Sequence, residues 1–464
     1  MTAQLSTPHT RSGDRRRQYR RRARRSDLLV TALWASGAAA AALFLSVGGA
    51  SQFGSAGDAI TSLGIVTGLI GSDFVLVMLV LAARVPLIDR TVGHDRAIAV
   101  HRQLGKPALY LLLAHGVLLL VGYGVGSGFN PVTWIVDMWE LPDMPLAFTG
   151  LGLLITVVVT SLVAVRRNFS YEGWHLVHLL SYAAVAFAIP HQLSNGAVLS
   201  AGPQRVYWIT LYVLAVGSIL VYRFIEPLVS SLRHGMRVDR VIEVAPGVVS
   251  IVLRGSRLDA LGATGGQFFV WRFWAAGMWW HAHPISLSAA PTERYARITV
   301  RDLGTGSRAI TSVAPGTRVW IEGPYGLFTD SARSAPKVAI IAAGIGITPV
   351  RALLESSQIA PGEATILLRA SSDDERWLWD EVSDLAADKR AGYFEMVGRR
   401  SAGATTWMSA RDQERGVTLR SVFPDLLDSD LYICGPTAWL DLVEADARRS
   451  GVPAHQIHAE RFDW

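Results

Sequence analysis

The sequence predicts a multidomain membrane protein with a six-helix transmembrane bundle, then an antiparallel β-barrel domain, then an α/β domain with a parallel sheet. Half of the 464 residues are hydrophobic and only 18% are charged, which is too apolar for an ordinary soluble enzyme. Six long apolar stretches fill the first half. In the second half, short alternating runs give way to strands that alternate with helical runs, so two further domains are expected.

Each apolar stretch is close to the roughly 20 residues that a helix needs to cross a bilayer. The stretches cover residues 28–50, 59–83, 104–126, 146–165, 174–193 and 206–225. Arginine and lysine are frequent after the second and fourth stretches, whereas residues 51–58 and 127–145 contain neither. The positive-inside rule therefore predicts a multi-pass protein of the cell membrane with cytoplasmic N- and C-termini.

Residues 1–27 are expected to be a basic cytoplasmic tail, because arginines crowd residues 11–25. A basic run before apolar segments is typical of an anchor that faces anionic lipid, and only second of a nucleic-acid arm. The apolar stretch that follows is too long for a secretory signal. The expected partner is thus the lipid bilayer, with no nucleic acid. The single cysteine, Cys434, excludes an intrachain disulfide and any multi-thiolate metal site.

The predicted domains are the transmembrane bundle at 28–226, the β-barrel at 236–331 and the α/β domain at 335–464. The runs RVIEV, VSIVLRG, ARITVRD and RVWIEG are separated by Gly and Pro, as antiparallel strands are. After residue 337, the strands VAIIAAG, EATILLRA and DLYICG alternate with helical stretches. This alternation predicts a parallel sheet with crossover helices, which is typical of nucleotide-binding domains.

Histidines in the third and fifth apolar stretches indicate haem. His101 and His115 are 14 residues apart, about 21 Å of helix rise, and face nearly the same way. His178 and His191 give the fifth stretch two comparable depths. Two such helices can hold two stacked haems, with His101 and His178 as the inner ligands and His115 and His191 as the outer ligands.

Three further residues of the apolar stretches, Pro190, His175 and Asp73, leave alternatives open. The 13 residues between the histidines of the fifth stretch turn an ideal helix by about −140°, and Pro190 is expected to kink it. His175 lies one turn before His178 and is the alternative inner ligand. Asp73, in the second stretch, serves either a proton path or a pairing with a neighbour.

Three motifs in the β-barrel domain indicate a flavin site. HPISLS (283–288) lies on a strand, and the hydroxyl of Ser286 can form a hydrogen bond with the N5 edge of a flavin. RDLGTGS (301–307) follows another strand, and EGPYG (322–326) is expected to form a tight turn that closes the domain. A pyrophosphate could approach the glycines and polar side chains of the second motif, which are Arg301, Gly304, Thr305, Gly306 and Ser307.

Two motifs in the α/β domain indicate a nicotinamide nucleotide. AAGIGITP (342–349) follows a strand and opens a helix, whose N-terminal amides can hold a dinucleotide phosphate. CGP (434–436) ends the last clear strand, at the edge where ligands bind to open α/β sheets. Cys434 is therefore a candidate on the nicotinamide side.

In this order, the paired membrane histidines and the motifs HPISLS, EGPYG, GIGITP and CGP resemble the superfamily of ferric reductases and NADPH oxidases. The cytoplasmic half of that superfamily is similar to ferredoxin–NADP reductase, and the resemblance covers about residues 28–464. It implies the four haem ligands named above and a flavin motif in which Ile285 replaces the usual aromatic. The implied binding residues are His283, Pro284, Ile285, Ser286, Gly323, Gly326, Gly344, Gly346, Thr348, Pro349, Cys434, Gly435 and Pro436.

The resemblance also implies the activity of a transmembrane flavocytochrome with FAD and two b-type haems. NAD(P)H would give hydride to FAD in the cytoplasm, and single electrons would pass through the haems to ferric iron or another small-molecule acceptor outside. Dioxygen reduction to superoxide is the alternative within this class, and a haem-free flavin reductase serving a cytoplasmic partner is the alternative from another class. Arg369, Arg399 and Arg400 could meet a 2′-phosphate, which favours NADPH over NADH.

Relatives of ferredoxin–NADP reductase place an aromatic residue at or near the chain end over the isoalloxazine ring. Trp464 matches by position, and Phe462 is the alternative. The resemblance therefore implies three catalytic candidates, which are Ser286, Cys434 and Trp464. The final acceptor and the oligomeric state stay open.

Overall fold

The structure is a computed structural model that describes residues 8–46, 48–125, 130–168, 171–194, 202–401, 403 and 405–462. The described residues form two compact units. One, the membrane unit, comprises residues 26–224. The other, which we call the reductase unit after the resemblance stated above, combines the N-terminal segment up to residue 25 with the chain from residue 225 onward.

The membrane unit is helical. Its helices are α1 (Pro8–Ser46, whose first part belongs to the other unit), α2 (Ala56–Ala82), α3 (Pro86–Thr91), α4 (His94–Gly124), α5 (Pro131–Glu140), α6 (Met144–Ser161), α7 (Val163–Arg166), α8 (Tyr171–Ser194) and α9 (Gly202–Ile219). Within the described ranges, six helical segments are long and apolar enough to cross a membrane: Tyr19–Ser46, Ala56–Ala82, Arg96–Gly124, Met144–Ser161, Gly173–Ser194 and Gly202–His234. The six predicted spans are confirmed. The expected outer loop at 127–145 contains α5, which the sequence analysis did not single out.

Helices α2 and α4 pack closely because glycines of α2 leave room for side chains of α4. A Cβ atom at Gly64 would lie 3.1 Å from Leu119, and one at Gly71 would lie 3.0 Å from Leu112. A Cβ atom at Gly68 would lie only 2.4 Å from Nδ1 of His115. The ring of His115 therefore lies directly against the backbone of α2.

Asp73 of α2 is fully buried and paired. Its Oδ1 accepts hydrogen bonds from the Ser36 hydroxyl at 2.6 Å and from the Tyr207 hydroxyl at 3.2 Å. These contacts connect α1, α2 and α9. The structure thus shows the pairing that the sequence left as one of two options.

The reductase unit begins with α10 (Glu226–His234), which follows the π-helical turn Leu220–Ile225. Its first strands are β1 (Arg237–Ala245), β2 (Val248–Arg254), β3 (Phe268–Phe273), β4 (His283–Ser286), β5 (Tyr295–Arg301) and β6 (Val319–Tyr325), with α11 (Thr305–Thr311) after β5. They form two three-stranded antiparallel sheets, ordered β1-β2-β5 and β4-β3-β6. A bridge between Leu287 and Ile298 connects the sheets, and large side chains such as Phe269 and Trp271 fill the core between them.

One local prediction in this domain is wrong. The EGPYG motif does not form a tight turn, because Glu322–Tyr325 lies in β6 and pairs with β3. The motif fits into the strand through a register shift between Phe268 and Val270 and a positive φ of 138° at Gly323. Since β6 is an edge strand, Pro324 removes no ladder hydrogen bond that the sheet needs.

The second domain of this unit is a five-stranded parallel sheet in the order β11-β10-β7-β8-β9. Its strands are β7 (Lys337–Ala343), β8 (Ala364–Ala370), β9 (Gly392–Val397), β10 (Ser429–Pro436) and β11 (Ile457–Phe462). Its helices are α12 (Ile347–Ser356), α13 (Trp379–Asp388), α14 (Ala410–Glu414), α15 (Leu419–Val422) and α16 (Thr437–Arg449). The predicted α/β architecture is confirmed, although the sequence analysis marked only β7, β8 and β10 as strands.

Candidate functional site

The inner histidine pair is formed by α4 and α8. The ring centroids of His101 and His178 are 6.1 Å apart, with the ring planes at 57°. Metal–imidazole bonds of about 2 Å on opposite sides of one iron place two ring centroids about 6 Å apart. The pair therefore has the separation that a bis-histidine haem needs.

Nδ1 of His101 and Nδ1 of His115, both on α4, are held by the backbone of α2. Nδ1 of His101 lies 3.1 Å from the carbonyl oxygen of Met78, and Nδ1 of His115 lies 2.8 Å from that of Gly64. A carbonyl only accepts, so Nδ1 carries the proton in both rings and Nε2 is left with its lone pair. Metal-ligating histidines are oriented by the same kind of contact.

In α8, His178 is better placed than His175. Its Nδ1 lies 3.4 Å from the Ser161 hydroxyl oxygen, and Trp174 packs 5.0 Å from its ring. The ring of His175 is exposed. His191 is half-buried and lies within electrostatic range of His115, on the same helix as Pro190. The geometry thus brings His101 and His178 together and favours His178 over His175 for the inner pair.

A cavity of about 240 Å³ in the reductase unit collects most of the predicted flavin residues. Its wall includes His283 and Ser286 of β4, the strand end at Arg301, and Thr348 at the start of α12. From the predicted set, the lining residues are His283, Ile285, Ser286, Arg301, Gly304, Thr305, Gly306, Ser307 and Thr348. Two of the three flavin motifs, HPISLS and RDLGTGS, and one nicotinamide motif therefore face the same space.

Two polar atoms in the cavity wall lack a hydrogen-bond partner within the part of the chain that the structure describes. They are Oγ of Ser286, which is 2% exposed, and Nε2 of His283. Burial, with repulsion from His281 and Arg272, lowers the pKa of His283 to about 4, so its ring is neutral at pH 7. Buried polar atoms are rarely left unpaired, and a ligand with hydrogen-bonding edges would satisfy both. These residues fit a flavin.

Several polar groups of the RDLGTGS loop already form contacts within the protein. The Ser307 hydroxyl accepts from the amide of Leu303 at 2.7 Å, and Asp302 accepts from the amide of Gly304 at 3.2 Å. Arg301 lies 4.7 Å over the Trp377 ring and 3.4 Å from Glu375. The loop reaches the cavity, but the amides of Asp302, Leu303 and Gly304 already donate hydrogen bonds within the protein.

The two nicotinamide motifs meet at the switch point of the parallel sheet. Strands β7 and β10 are neighbours, with Ala342 opposite Cys434, and their connections leave to opposite sides of the strand order. A Cβ atom at Gly346 would lie 2.5 Å from the carbonyl oxygen of Cys434 and 2.6 Å from the amide nitrogen of Gly435. Only glycine at position 346 allows this approach.

Several predicted residues are not among the described side chains that line the cavity. Cys434 is fully buried, and burial raises the pKa of its thiol well above the ordinary value, so it is a neutral core side chain. Arg369 is also buried, with Nε unpaired among the described residues, and burial and the charge of Arg400 lower its pKa. The others outside the wall are Pro284, Gly323, Gly326, Gly344, Gly346, Pro349, Arg399, Arg400, Gly435 and Pro436.

At the chain end, Phe462 lines the cavity. Trp464, the predicted stacking residue, lies outside the described residues. Thr299, Val300 and Ile310, which the sequence analysis did not name, also form the wall, together with Leu303 and Ile345 of the predicted motifs. Thr299 shares one face of β5 with Arg301, because alternate residues of a strand point the same way, and this period of two could have identified it.

The two halves of the chain are similar to different groups of known proteins. Residues 67–189, which include His101, His115 and His178, match the ferric reductase like transmembrane component family. The chain is 31% identical over 210 residues to a flavohemoprotein of Xylella fastidiosa, covering 42% of this chain and 50% of that protein. It is 29% identical over 169 residues to ferredoxin–NADP reductase B of Sorangium cellulosum, covering 34% of this chain and 68% of that protein.

Among solved structures, the FAD/NAD-binding domain of the nitric oxide dioxygenase of Vibrio cholerae covers 50% of this chain over 99% of its own length, with a TM-score of 0.40 and 23% identity. The chain spans about half the length of the flavohemoproteins that it matches. The chain therefore combines a segment similar to the ferric reductase like transmembrane component with a second half similar to flavohemoproteins and ferredoxin–NADP reductase.

Proposed function

We propose that the chain is a transmembrane flavocytochrome that carries electrons from cytoplasmic NAD(P)H, by way of FAD and two bis-histidine haems, to an acceptor on the outer side. The pairing of His101 with His178 at a ring separation of 6.1 Å carries this proposal. Positive residues between the spans support the cytoplasmic placement of both termini.

In the membrane unit, His101 and His178 would hold the inner haem, and His115 and His191 the outer haem. Haem iron would supply a one-electron carrier at each level. The α2 carbonyls fix the orientation of the two α4 rings, so their Nε2 atoms are presented without rearrangement. The apolar helices around them exclude water.

In the reductase unit, FAD would supply the exchange between hydride chemistry and one-electron transfer. The Ser286 hydroxyl would donate a hydrogen bond to the reacting edge of the flavin, and neutral His283 would bond through Nε2. Phe462, which lines the same cavity as Ile345 and Thr348, would cover the flavin ring where nicotinamide binds. Arg369 and Arg400 would bind the 2′-phosphate of NADPH, since an anion offsets the repulsion between them.

The test is an absorption spectrum followed by NADPH-driven turnover of the purified full-length protein. Low-spin haem bands at about two haems per chain, with faster reduction of an Fe(III)-chelate than of dioxygen, are expected. Superoxide formation as the faster reaction would instead assign an NADPH oxidase. A folded, FAD-loaded protein without haem would reduce the proposal to a membrane-anchored flavin reductase.

A further inference from the structure

The reductase unit carries a cluster of exposed tryptophans that the proposed function does not use. Trp274, Trp279 and Trp280 are 47%, 52% and 54% exposed, and we call them, with half-buried Trp320, the tryptophan patch. The ring centroids of Trp274 and Trp320 are 4.9 Å apart, and those of Trp279 and Trp280 are 5.3 Å apart. An exposed contiguous apolar surface of this kind marks an interaction site.

The loop that presents the patch is ordered by its own hydrogen bonds. The amide of Trp274 donates to the carbonyl of Arg318 at 2.9 Å, which fixes the loop to the start of β6. The amide of Met278 donates to Ala275 at 3.1 Å, and the Met278 side chain is buried in the barrel core. Since Met278 anchors the turn from inside, the neighbouring tryptophans are held outward.

The patch adjoins the continuation of the last membrane helix. Gly202–His234 is a helical segment of 33 residues, whereas a helix needs about 20 to cross the hydrocarbon core, so α10 follows the sixth span directly along the chain. The Ser231 hydroxyl of α10 both donates to the carbonyl of Ile321 at 3.2 Å and accepts from its amide at 3.0 Å. Trp320 directly precedes Ile321 in the same strand, so α10 and the patch both contact β6.

The surroundings of the patch favour lipid over protein. Helix α10 exposes Leu228, Val229 and Leu232, which are 43%, 53% and 64% accessible. Arg233 of α10 and Arg318, which lies on the same strand face as Trp320, are exposed cations. Tryptophan at the level of the headgroups, flanked by arginine, is the composition that binds an anionic bilayer surface.

We infer that the tryptophan patch and α10 form a peripheral membrane-binding surface that inserts indole rings among the headgroups of anionic phospholipids. The patch loop runs directly into β4, which carries His283. The lipid contact therefore also restrains the position of β4, which forms part of the cavity wall.

The experiment uses the full-length protein in nanodiscs of phosphatidylcholine and phosphatidylglycerol, one chain per disc. A Trp279→Cys variant is labelled with an environment-sensitive fluorophore, and lipids with a nitroxide near the top of the acyl chain act as quenchers. The control is Phe394→Cys, 45% exposed on β9, and the unsubstituted chain is the blank because Cys434 is buried. We expect the probe at 279 to lose about half its emission and the probe at 394 to lose none.

Equal emission losses at the two positions would overturn the inference, as would a loss at 279 that appears only with two chains per disc, since that assigns the patch to a second copy. If Trp279→Cys fails to retain FAD, Trp280→Cys replaces it in the same measurement. An Arg318→Glu substitution on the Trp279→Cys background should weaken quenching in discs with phosphatidylglycerol. Unchanged quenching there contradicts the choice of anionic lipid.

Discussion

The two candidate cofactor regions differ in whether their polar atoms already have hydrogen-bond partners in the protein. In the membrane unit, Nδ1 of His101 and of His115 is already bonded to a backbone carbonyl, so each ring is oriented by the protein. In the reductase cavity, Ser286 Oγ and His283 Nε2 have no partner among the described residues. The rings of His101 and His115 are thus oriented before any metal would bind, although Nδ1 of His191 has no partner among the described residues. The cavity would obtain its final hydrogen bonds from a ligand.

This difference predicts two kinds of mutant. Substitutions in the membrane unit should remove a cofactor, because a haem with one axial ligand or a misdirected ring is weakly held. Substitutions in the cavity should mainly change rates, because a flavin keeps its remaining contacts when one hydroxyl is lost.

The largest expected effect is on haem content. His101→Ala or His178→Ala should remove the inner haem, and His115→Ala or His191→Ala the outer one, so that a pyridine haemochrome assay falls from two haems to one. His175→Ala is the matched control and should keep both. Loss of haem in His175→Ala but not in His178→Ala would exchange their roles.

Gly68→Ala should come next. The added Cβ would lie 2.4 Å from His115 Nδ1, and overpacking of this kind costs about 1–3 kcal/mol, so the outer haem should fall to about half occupancy or less. Gly116→Ala, on the same helix as His115, meets nothing within 4 Å and should leave the haem spectrum unchanged. Equal spectra of the two variants would mean that α2 does not hold the ring.

Ser286→Ala should slow flavin reduction by NAD(P)H and leave FAD bound. One neutral hydrogen bond contributes about 1–2 kcal/mol, which corresponds to a rate about 5–30-fold lower in stopped flow. Ser286→Thr keeps the hydroxyl and should restore part of the rate. An unchanged rate in the alanine variant argues against a bond to the reacting edge.

A smaller effect is expected at the chain end. Trp464→Ala should narrow the ratio of kcat/KM for NADPH to that for NADH by roughly 2–10-fold, as the stacking energy indicates. Phe462→Ala is the comparison, because Phe462 lines the cavity. If only the Phe462 variant changes the ratio and the flavin band, Phe462 is the stacking residue.

The smallest effect is a pH dependence. The folded pKa of His283 is about 4, below its ordinary 6.5, so the unfolded chain binds more protons between these values. Its contribution to stability is therefore complete above pH 6.5 and is lost as the pH falls towards 4. The flavin-release temperature should drop over this window, and His283→Gln should flatten the slope. Parallel slopes in both proteins would assign the pH effect to other groups.

The sequence was sufficient where a single physical signal dominates. Apolar length gave the six spans, and the buried runs VAIIAAG, EATILLRA and DLYICG gave three strands of the parallel sheet. Strands β9 and β11, with the sequences GYFEMV and IHAERF, mix charged and apolar residues and lie at the sheet edges, so their pattern is weak.

The candidate site was only partly predictable. The cavity is assembled from residues far apart in sequence, and Ile345 and Ile310 contribute to its wall through tertiary packing alone. The predicted turn at EGPYG was wrong because Gly and Pro usually mark turns, whereas an edge strand tolerates both. The bonds from α4 to the α2 carbonyls leave no mark in sequence, since any residue supplies a carbonyl.

The double hydrogen bond between Ser231 and Ile321 sets a boundary for engineering. Helix α10 follows the membrane unit along the chain, yet His234 Nδ1 also bonds the Ser256 carbonyl at 2.8 Å, so α10 is part of the reductase structure. A chimera that grafts this reductase onto a foreign bundle should therefore join the chains before Glu226. A junction after His234 would discard α10 and leave the Ile321 amide and carbonyl without their partner.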